Sequence, residues 1–239
     1  MVKITVVSPV YNESEVLEEL TERTTKTLKK ALMNDWEFII VDDASTDSTH
    51  VIMNRLVKKN RNLRYIRHEK RGGQTGCFKT GFDNARGDFI ITMDGDLQVT
   101  PEDIPLFLAK INDGYDVING IREHRKHDFW LRLISRFYNL LMLIFFNCPV
   151  LDAASNYTAV KRSLVKDLPL RGNDHRYLIP MTVRRGAKKI GEVVIRHCER
   201  KKGKSKYKMS RKFLKGGPEI IRVWLRMRMG VYDFPKKPS

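Results

Sequence analysis

Met93-Asp94-Gly95-Asp96-Leu97-Gln98 follows directly on the apolar run Phe89-Ile90-Ile91-Thr92, and this junction decides the fold. β-Branched and aromatic residues dominate the run, which predicts a buried strand of a parallel sheet. Asp94 then lies at the carboxyl end of that strand, where open α/β sheets bind their ligands. Because the two carboxylates are one residue apart, their side chains point the same way and could share one hard cation.

Taken alone, Asp94 and Asp96 fit a polar turn as well as a metal site. The choice between the two depends on the surrounding sequence. Two more polar clusters follow apolar runs: residues 9–13 come after a strand candidate at 4–8, and residues 42–49 after one at 36–41. A further strand candidate at 63–67 precedes a glycine-rich segment and a helix candidate that runs to residue 85. This alternation predicts an α/β fold with a mostly parallel central sheet flanked by helices, and all three clusters along one edge.

Four strings give the chain a resemblance to a known family. They are DGDLQ at 94–98 followed by Pro101-Glu102, VSPVYNESE at 7–15, VDDASTDST at 41–49 and HCERKKGKSKY at 197–207. In order and spacing they resemble the family 2 glycosyltransferases of the GT-A nucleotide-sugar-binding fold. Within that family the chain is most similar to the branch of dolichol-phosphate mannose synthase and the bacterial polyprenyl-phosphate glycosyltransferases.

The resemblance implies a role for each matching residue. The donor nucleoside is surrounded by Pro9, Tyr11, Glu13 and Asp42. A divalent metal, Mg²⁺ or Mn²⁺, and the donor diphosphate are held by Asp94, Asp96 and Gln98. The loop that closes over the donor phosphates contributes Arg200, Ser205 and Lys206. These roles suit the side chains, since a carboxylate accepts hydrogen bonds from a nucleoside and cations stabilise the charge of a departing diphosphate.

The acceptor in this branch is a polyprenyl phosphate, which is already an anion at neutral pH. A general base to remove a hydroxyl proton is then less necessary, and we expect one inverting displacement of the sugar from a UDP- or GDP-linked donor. We select Arg122, Arg136 and Ser155 as contacts of the acceptor phosphate, because Arg122 follows a strand candidate that ends at the same edge of the sheet. Other nearby cations, Arg125, Lys126 and Arg132, compete for this role.

Two positions depart from the family pattern. Relatives usually have Ser-Gly-Phe-Arg where this chain has Ser155-Asn156-Tyr157-Thr158, so the contribution of that arginine must come from elsewhere. Asp174 lies near the point at which an acid serves as general base in relatives that glycosylate sugar hydroxyls. It either acts as a catalytic base on a saccharide acceptor, orients the acceptor, or pairs with Arg176.

Composition predicts one catalytic domain with a basic extension, since 239 residues are ample for a single α/β core. We place the catalytic domain at residues 1–212, with an apolar helix on the acceptor or membrane side at about 129–147. The basic amphipathic extension is placed at residues 213–239. Within it, residues 218–229 predict a helix that either lies in a membrane interface or packs on the catalytic domain.

Positive charge is concentrated near the carboxyl terminus. Residues 184–228 contain seventeen lysines and arginines against three glutamates, in a chain whose formal net charge is +17. The segment has no helix-turn-helix, zinc-finger spacing or RNA-recognition aromatic string, so nucleic acid is not the expected partner. A membrane surface rich in anionic phosphates fits the charge better.

No stretch is long and apolar enough to predict a transmembrane helix, and the amino terminus enters a strand at once, which argues against a signal peptide. The three cysteines, Cys77, Cys148 and Cys198, are widely spaced and suit a reducing compartment. We therefore expect a peripheral or monotopic protein at the cytosolic face of a membrane, and allow for a membrane-spanning partner subunit. Two alternatives stay open: a family 2 glycosyltransferase that acts on a saccharide hydroxyl with Asp174 as base, and a non-catalytic basic protein that binds membranes or nucleic acid.

Overall fold

Seven strands of the described residues form one mixed sheet. The structure is a computed structural model and describes residues 3–122, 139–148, 150, 152, 155–198 and 209–235, with side chains in the last segment from residue 218. The strands are β1 Ile4–Val10, β2 Trp36–Asp42, β3 Leu63–Arg67, β4 Phe89–Thr92, β5 Val117–Arg122, β6 Thr158–Lys161 and β7 Ile190–Ile195. Their order across the sheet is β3-β2-β1-β4-β6-β5-β7.

Helices connect the strands and flank the sheet. Before β4 they are α1 Leu17–Leu32, α2 Thr49–Lys59 and α3 Gly73–Asn84. After β4 they are a 3-10 turn at Pro101–Asp103, α4 Ile104–Asn112, α5 at residues 139–146, the single turn α6 Arg162–Val165, a second 3-10 turn at Asp174–Tyr177, α7 Leu178–Arg184 and α8 Met209–Arg228.

The first four strands confirm the predicted parallel sheet. β1 pairs in parallel with both β2 and β4, and β2 pairs in parallel with β3. The apolar runs explain this placement, because strands covered on both faces need apolar side chains at successive positions. The other half of the sheet holds an antiparallel strand, β6, which lies between β4 and β5 and runs opposite to both.

The core has two parts, one on each face of the sheet. Alternate residues of β2 divide between them: Ile39 and Val41 belong to one cluster, Phe38 and Ile40 to the other, and all four are fully buried. Successive side chains of a strand point to opposite faces. The sheet is therefore the middle layer of the molecule, and only its edges and strand ends remain for binding.

The helix α8 packs on the same unit as the sheet. Ile220, Val223 and Met227 on one face of it are buried in the core cluster that also contains Val7 of β1. The helix begins at Met209 and ends at Arg228, so it runs across the predicted division between residues 212 and 213. That division remains a prediction. Within the described residues, no helix is both long and apolar enough to cross a membrane.

Two glycines of α3 provide a matched test of this packing. A Cβ at Gly81 would overlap sterically with the Val7 side chain on β1. A Cβ at Gly76 would meet its nearest neighbour, His68 Cε1, at 3.9 Å, which is ordinary van der Waals contact. We expect Gly81→Ala to lower the free energy of unfolding by about 1–3 kcal/mol, because it overpacks the helix against the sheet. Gly76→Ala is expected to raise it by about 0.5–1 kcal/mol through helix propensity.

Chemical denaturation of the two variants beside the wild type provides the measurement. Equal effects of the two substitutions would show that α3 does not lie against β1 at Gly81.

Candidate functional site

Three loops meet at the carboxyl ends of β1, β2 and β4. Because β1 pairs in parallel with both neighbours, these three ends lie side by side, as the sequence predicted. Each loop contains a residue other than glycine with a left-handed backbone: Asn12 with φ 53°, Ala44 with φ 59° and Leu97 with φ 59°. Such conformations cost free energy and cluster at functional sites. Asn tolerates this conformation, whereas Ala44 and Leu97 are held in shapes that the local sequence does not favour.

Asp42 ends β2 and is completely buried. Its Oδ1 accepts hydrogen bonds from the backbone N–H of Ser45, at 2.9 Å, and from the Ser45 hydroxyl. Its Oδ2 accepts one from the Tyr65 hydroxyl at 2.6 Å, and the guanidinium of Arg67 lies 3.6 Å away. The carboxylate is thus fixed in one orientation at the end of the strand.

The loops after β1 and β2 are hydrogen-bonded to each other. Asn12 N–H donates to Ser45 Oγ at 2.9 Å, and Asn12 Oδ1 accepts from Thr46 N–H at 2.8 Å. On the same loop, the ring of Tyr11 has the guanidinium carbon of Arg71 3.7 Å from its centroid. One face of the tyrosine is therefore occupied by a cation, so a nucleobase that stacked on this ring would use the opposite face or displace Arg71.

Asp94 is half-buried just beyond β4 and is held by two amide side chains. Gln74 Nε2 donates to Asp94 Oδ1 at 2.7 Å, and Asn156 Nδ2 lies 3.3 Å from the same oxygen. Asp96 is also half-buried, and its Oδ1 accepts the backbone N–H of Gln98 at 3.1 Å. Two neighbouring carboxylates are thus fixed on one loop with neutral donors around the first of them.

The electrostatics of this pair favour a cation. Burial, followed by the negative charge of Asp96, raises the pKa of Asp94 from 3.8 to about 6, against the opposing effects of Asn156, Arg122 and Gln74. A divalent cation between the two carboxylates would reverse the repulsion. Oxygen ligands of this kind match Mg²⁺ or Mn²⁺, so the donor set fits the predicted metal.

A second group of potential metal ligands lies behind the β2 loop and consists of Asp43, His68 and Cys77. Both Asp43 oxygens already accept hydrogen bonds: Oδ1 from Gly72 N–H at 2.7 Å, and Oδ2 from Gly73 N–H at 3.1 Å. Burial, as the main cause, raises the pKa of the Cys77 thiol, so the sulfur stays protonated. The group therefore fixes the start of α3 through hydrogen bonds, and Asp94 with Asp96 remains the better metal site.

The remaining donor residues of the prediction lie around these loops. Pro9 is the second-last residue of β1 and is half-buried, as are Glu13 and Gln98. The carbonyl of Gln98 accepts the backbone N–H of Cys198 at 2.8 Å, which brings residues 197 and 198 to the loop after β4. The predicted cations Arg136, Arg200 and Lys206, and Ser205, lie outside the described residues.

The two described acceptor candidates differ in their surroundings. Arg122 donates two hydrogen bonds to Asp152, from Nε at 2.7 Å and from Nη2 at 2.8 Å. This pair uses two of the five N–H donors of the guanidinium and balances its charge with that of Asp152. Ser155 instead lines a small, partly open pocket together with Asn156, His175 and Arg176. Ser155 therefore lies at a pocket whose wall also contains Asn156, a contact of Asp94. Arg122 lies in an ion pair with Asp152.

Asp174 is buried and engaged by three donors. Its Oδ2 accepts from the Tyr232 hydroxyl at 2.9 Å and from Arg171 N–H at 2.8 Å, and its Oδ1 lies 3.4 Å from Arg226 Nη1. Burial is the main cause that raises its pKa. The pairing partner is thus Arg226 of α8 rather than Arg176. These contacts favour a role in holding the carboxyl-terminal helix over that of a general base.

Three contributors to the site were not among the sequence candidates. Gln74 and Asn156 hold Asp94, and Tyr65 holds Asp42. The glycine-rich segment at 72–76 was a local signal for Gln74, because it predicted a strand-to-helix loop at the same edge of the sheet. The departure of Asn156 from the family pattern was a sequence feature that could have identified it as part of the site. Tyr65 lay inside a predicted strand, and no sequence feature identified it.

Comparison with known proteins gives a family match over most of the chain. The profile of the family described as "Glycosyl transferase family 2" matches residues 5–168. The chain is 34% identical over 210 residues to the undecaprenyl-phosphate 4-deoxy-4-formamido-L-arabinose transferase of Salmonella choleraesuis (strain SC-B67). The aligned region covers 87% of this chain and 64% of that relative, so the chain spans less than two thirds of its length.

Solved structures share the fold. Glucosyl-3-phosphoglycerate synthase from Mycobacterium tuberculosis, in complex with Mn²⁺, UDP and phosphoglyceric acid, superposes with a TM-score of 0.67 at 18% identity, over 100% of this chain and 80% of that one. S. aureus TarS 1–349 gives a TM-score of 0.59 at 22% identity, over 93% and 64% of the two chains. The predicted GT-A α/β fold is thereby confirmed.

The raised pKa of Asp94 predicts a pH-dependent stability in metal-free protein. Between about pH 4 and pH 6 the folded chain holds a proton that the unfolded chain has lost, so stability falls as pH rises through this window. Asp94→Asn removes the charge and is expected to raise the free energy of unfolding by about 2 kcal/mol at pH 7.5, and by little at pH 3.5.

Urea denaturation at the two pH values, with a chelator present, measures the effect. A stabilisation of equal size at both values would contradict the electrostatic cause.

Proposed function

This chain belongs to glycosyl transferase family 2, and on that premise we propose that it transfers a sugar from a UDP- or GDP-linked donor to a polyprenyl phosphate. One observation carries the proposal. Asp94 and Asp96 follow β4 at the sheet edge where β2 ends with Asp42 and where β1 ends just before Tyr11. That arrangement brings a metal and diphosphate site beside a nucleoside site. The similar Salmonella protein is named as an undecaprenyl-phosphate transferase, and this similarity supports the choice of acceptor.

The donor lies across the three loops. Asp42 accepts hydrogen bonds from the nucleoside, Tyr11 contributes a ring face, and Pro9 and Glu13 border the same space. Asp94, Asp96 and Gln98 would hold Mg²⁺ or Mn²⁺, and the bound ion would neutralise the charge that develops on the departing diphosphate. The Mn²⁺ and UDP bound to the structurally similar synthase of M. tuberculosis support this choice of ligands.

The reaction is one displacement with inversion at the anomeric carbon. An oxygen of the acceptor phosphate forms the new bond to that carbon as the bond to the diphosphate oxygen breaks, and the nucleoside diphosphate leaves. The attacking oxygen is already ionised, so no protein base has to accept a proton. The contacts of Asp174 agree with this, because its carboxylate is buried against Arg226 and Tyr232. Arg200, Ser205 and Lys206 are retained as predicted contacts of the donor phosphates, and Arg136 as a predicted contact of the acceptor.

The protein is proposed to work at the cytosolic face of a membrane, to which α5 and α8 attach it. Ile221, Leu225 and Met229 of α8 are exposed, as are Leu143 and Ile144 of α5. The two helices touch through Phe145 and Trp224, whose ring centroids lie 5.9 Å apart. Exposed arginines, Arg222 and Arg228, lie on the same helix as the apolar residues and match anionic headgroups.

Loss of the metal carboxylate tests the proposed chemistry. We expect Asp96→Asn to fold normally and to lower kcat for sugar transfer to farnesyl phosphate by about 100-fold or more, because the departing diphosphate loses its neutralising cation. Asp113→Asn, which alters an exposed carboxylate beyond α4, is the control and should keep wild-type turnover. Near-normal activity of the Asp96 variant at matched protein and metal concentrations would contradict the proposal.

The membrane surface has its own test. We expect the double variant Ile221→Ser, Leu225→Ser to bind vesicles of phosphatidylglycerol and phosphatidylcholine about tenfold more weakly in co-sedimentation, since both side chains lose apolar contact with the lipid. Val51→Ser removes an equally exposed apolar side chain from α2 and should bind as the wild type does. Unchanged binding of the double variant would remove α8 from the membrane contact.

A further inference from the structure

The 3-10 turn Asp174–Tyr177 connects the candidate acceptor pocket to the carboxyl-terminal helix. On one side, His175 and Arg176 line the pocket that Ser155 and Asn156 also line. His175 Nδ1 lies 2.6 Å from Thr75 Oγ1, in the first turn of α3. The turn is therefore part of the wall of a cavity whose other wall holds Asp94 through Asn156.

On the other side, α8 and the residues after it hold the same turn through polar contacts. Glu219 Oε1 accepts from Asn173 Nδ2 at 2.7 Å, and Glu219 Oε2 lies 3.7 Å from Arg176 Nη1. Asp174 binds Tyr232 and Arg226. Contacts to three separate positions, 219, 226 and 232, fix the turn against the helix.

The guanidinium of Arg176 is suited to bind an anion in this pocket. Its ion pair with Glu219, at 3.7 Å, orients the guanidinium without a hydrogen bond that would occupy its N–H groups, and its side chain is 29% exposed. Arg122, in contrast, donates two short hydrogen bonds to Asp152. Unlike Arg122, Arg176 thus combines a position in the pocket wall with N–H groups that remain available for further hydrogen bonds.

The pocket also has an apolar part. Phe78, Phe82, Leu178 and Ile179 line it beside the polar residues. These four side chains belong to the buried core, so the polar side of the pocket is the part that a ligand can reach. A phosphate group matches this polar side, because a guanidinium binds phosphate oxygens.

We propose that Arg176 binds the phosphate of the lipid acceptor and that Glu219 is a positioning residue that holds Arg176 in place, so that α8 forms part of the acceptor site. The inference rests on the proposed function and names a specific contact within it. The donor diphosphate offers the same phosphate chemistry, and the experiment separates the two sources. No covalent step is added to the reaction.

Steady-state kinetics with farnesyl phosphate and the preferred nucleotide sugar test the proposal. We expect Arg176→Gln to raise KM for farnesyl phosphate at least tenfold and to leave KM for the donor within twofold, while Arg176→Lys recovers part of the loss. Glu219→Gln keeps an oxygen to accept from Asn173 but loses its charge, and should raise KM for the acceptor about threefold. Arg171→Gln, an exposed arginine before the same turn, is the control.

Calorimetric binding provides a readout apart from turnover. Farnesyl phosphate should bind Arg176→Gln at least tenfold more weakly than the wild type, whereas farnesol, which lacks the phosphate, should bind both proteins equally. Unchanged affinity for farnesyl phosphate in a folded Arg176 variant overturns the inference, and so does a change confined to KM for the donor. A wild-type protein that transfers no sugar to the lipid from any donor overturns the proposed function itself.

Discussion

Parallel pairing of β1 with both β2 and β4 is the constraint on which the site depends. It sets the carboxyl ends of three strands side by side, so that Asp42 and Asp94, 52 positions apart in the sequence, lie at one edge of the sheet. These strands are covered on both faces, so a shift in register would disturb the packing of both core clusters. The positions of the polar loops follow from the hydrophobic pattern of the strands before them.

The pair of carboxylates at this edge costs stability in the absence of a cation. Burial and mutual repulsion both oppose the ionisation of Asp94, while Gln74 and Asn156 hold it in place with hydrogen bonds. A fixed pair of carboxylates that repel each other favours cation binding, because a bound cation relieves the repulsion. At the proposed acceptor site, Glu219 of α8 and Tyr232 fix the turn that carries Arg176.

Strands and strand-end carboxylates could be predicted from the sequence because both are local features. β3 was predicted at its observed bounds, Leu63–Arg67. The direction of β6 could not be predicted, since four residues, Thr158–Lys161, carry no local sign of the strands they pair with. The partners of Asp94 and Asp174 were equally hidden: Asn156 is 62 positions from Asp94, and Tyr232 is 58 from Asp174. Thr158, where relatives usually have arginine, lines the same pocket as Arg176, so the turn supplies a cation that β6 lacks.

The most direct measurement is transfer of radiolabelled sugar from a panel of UDP- and GDP-sugars, with Mn²⁺ or Mg²⁺, to farnesyl phosphate, farnesol or a saccharide mixture. We expect label in the farnesyl phosphate fraction alone, from one donor, and its loss when a chelator removes the metal. Label in saccharides, or turnover that persists in the chelator, would contradict metal-dependent transfer to a lipid phosphate.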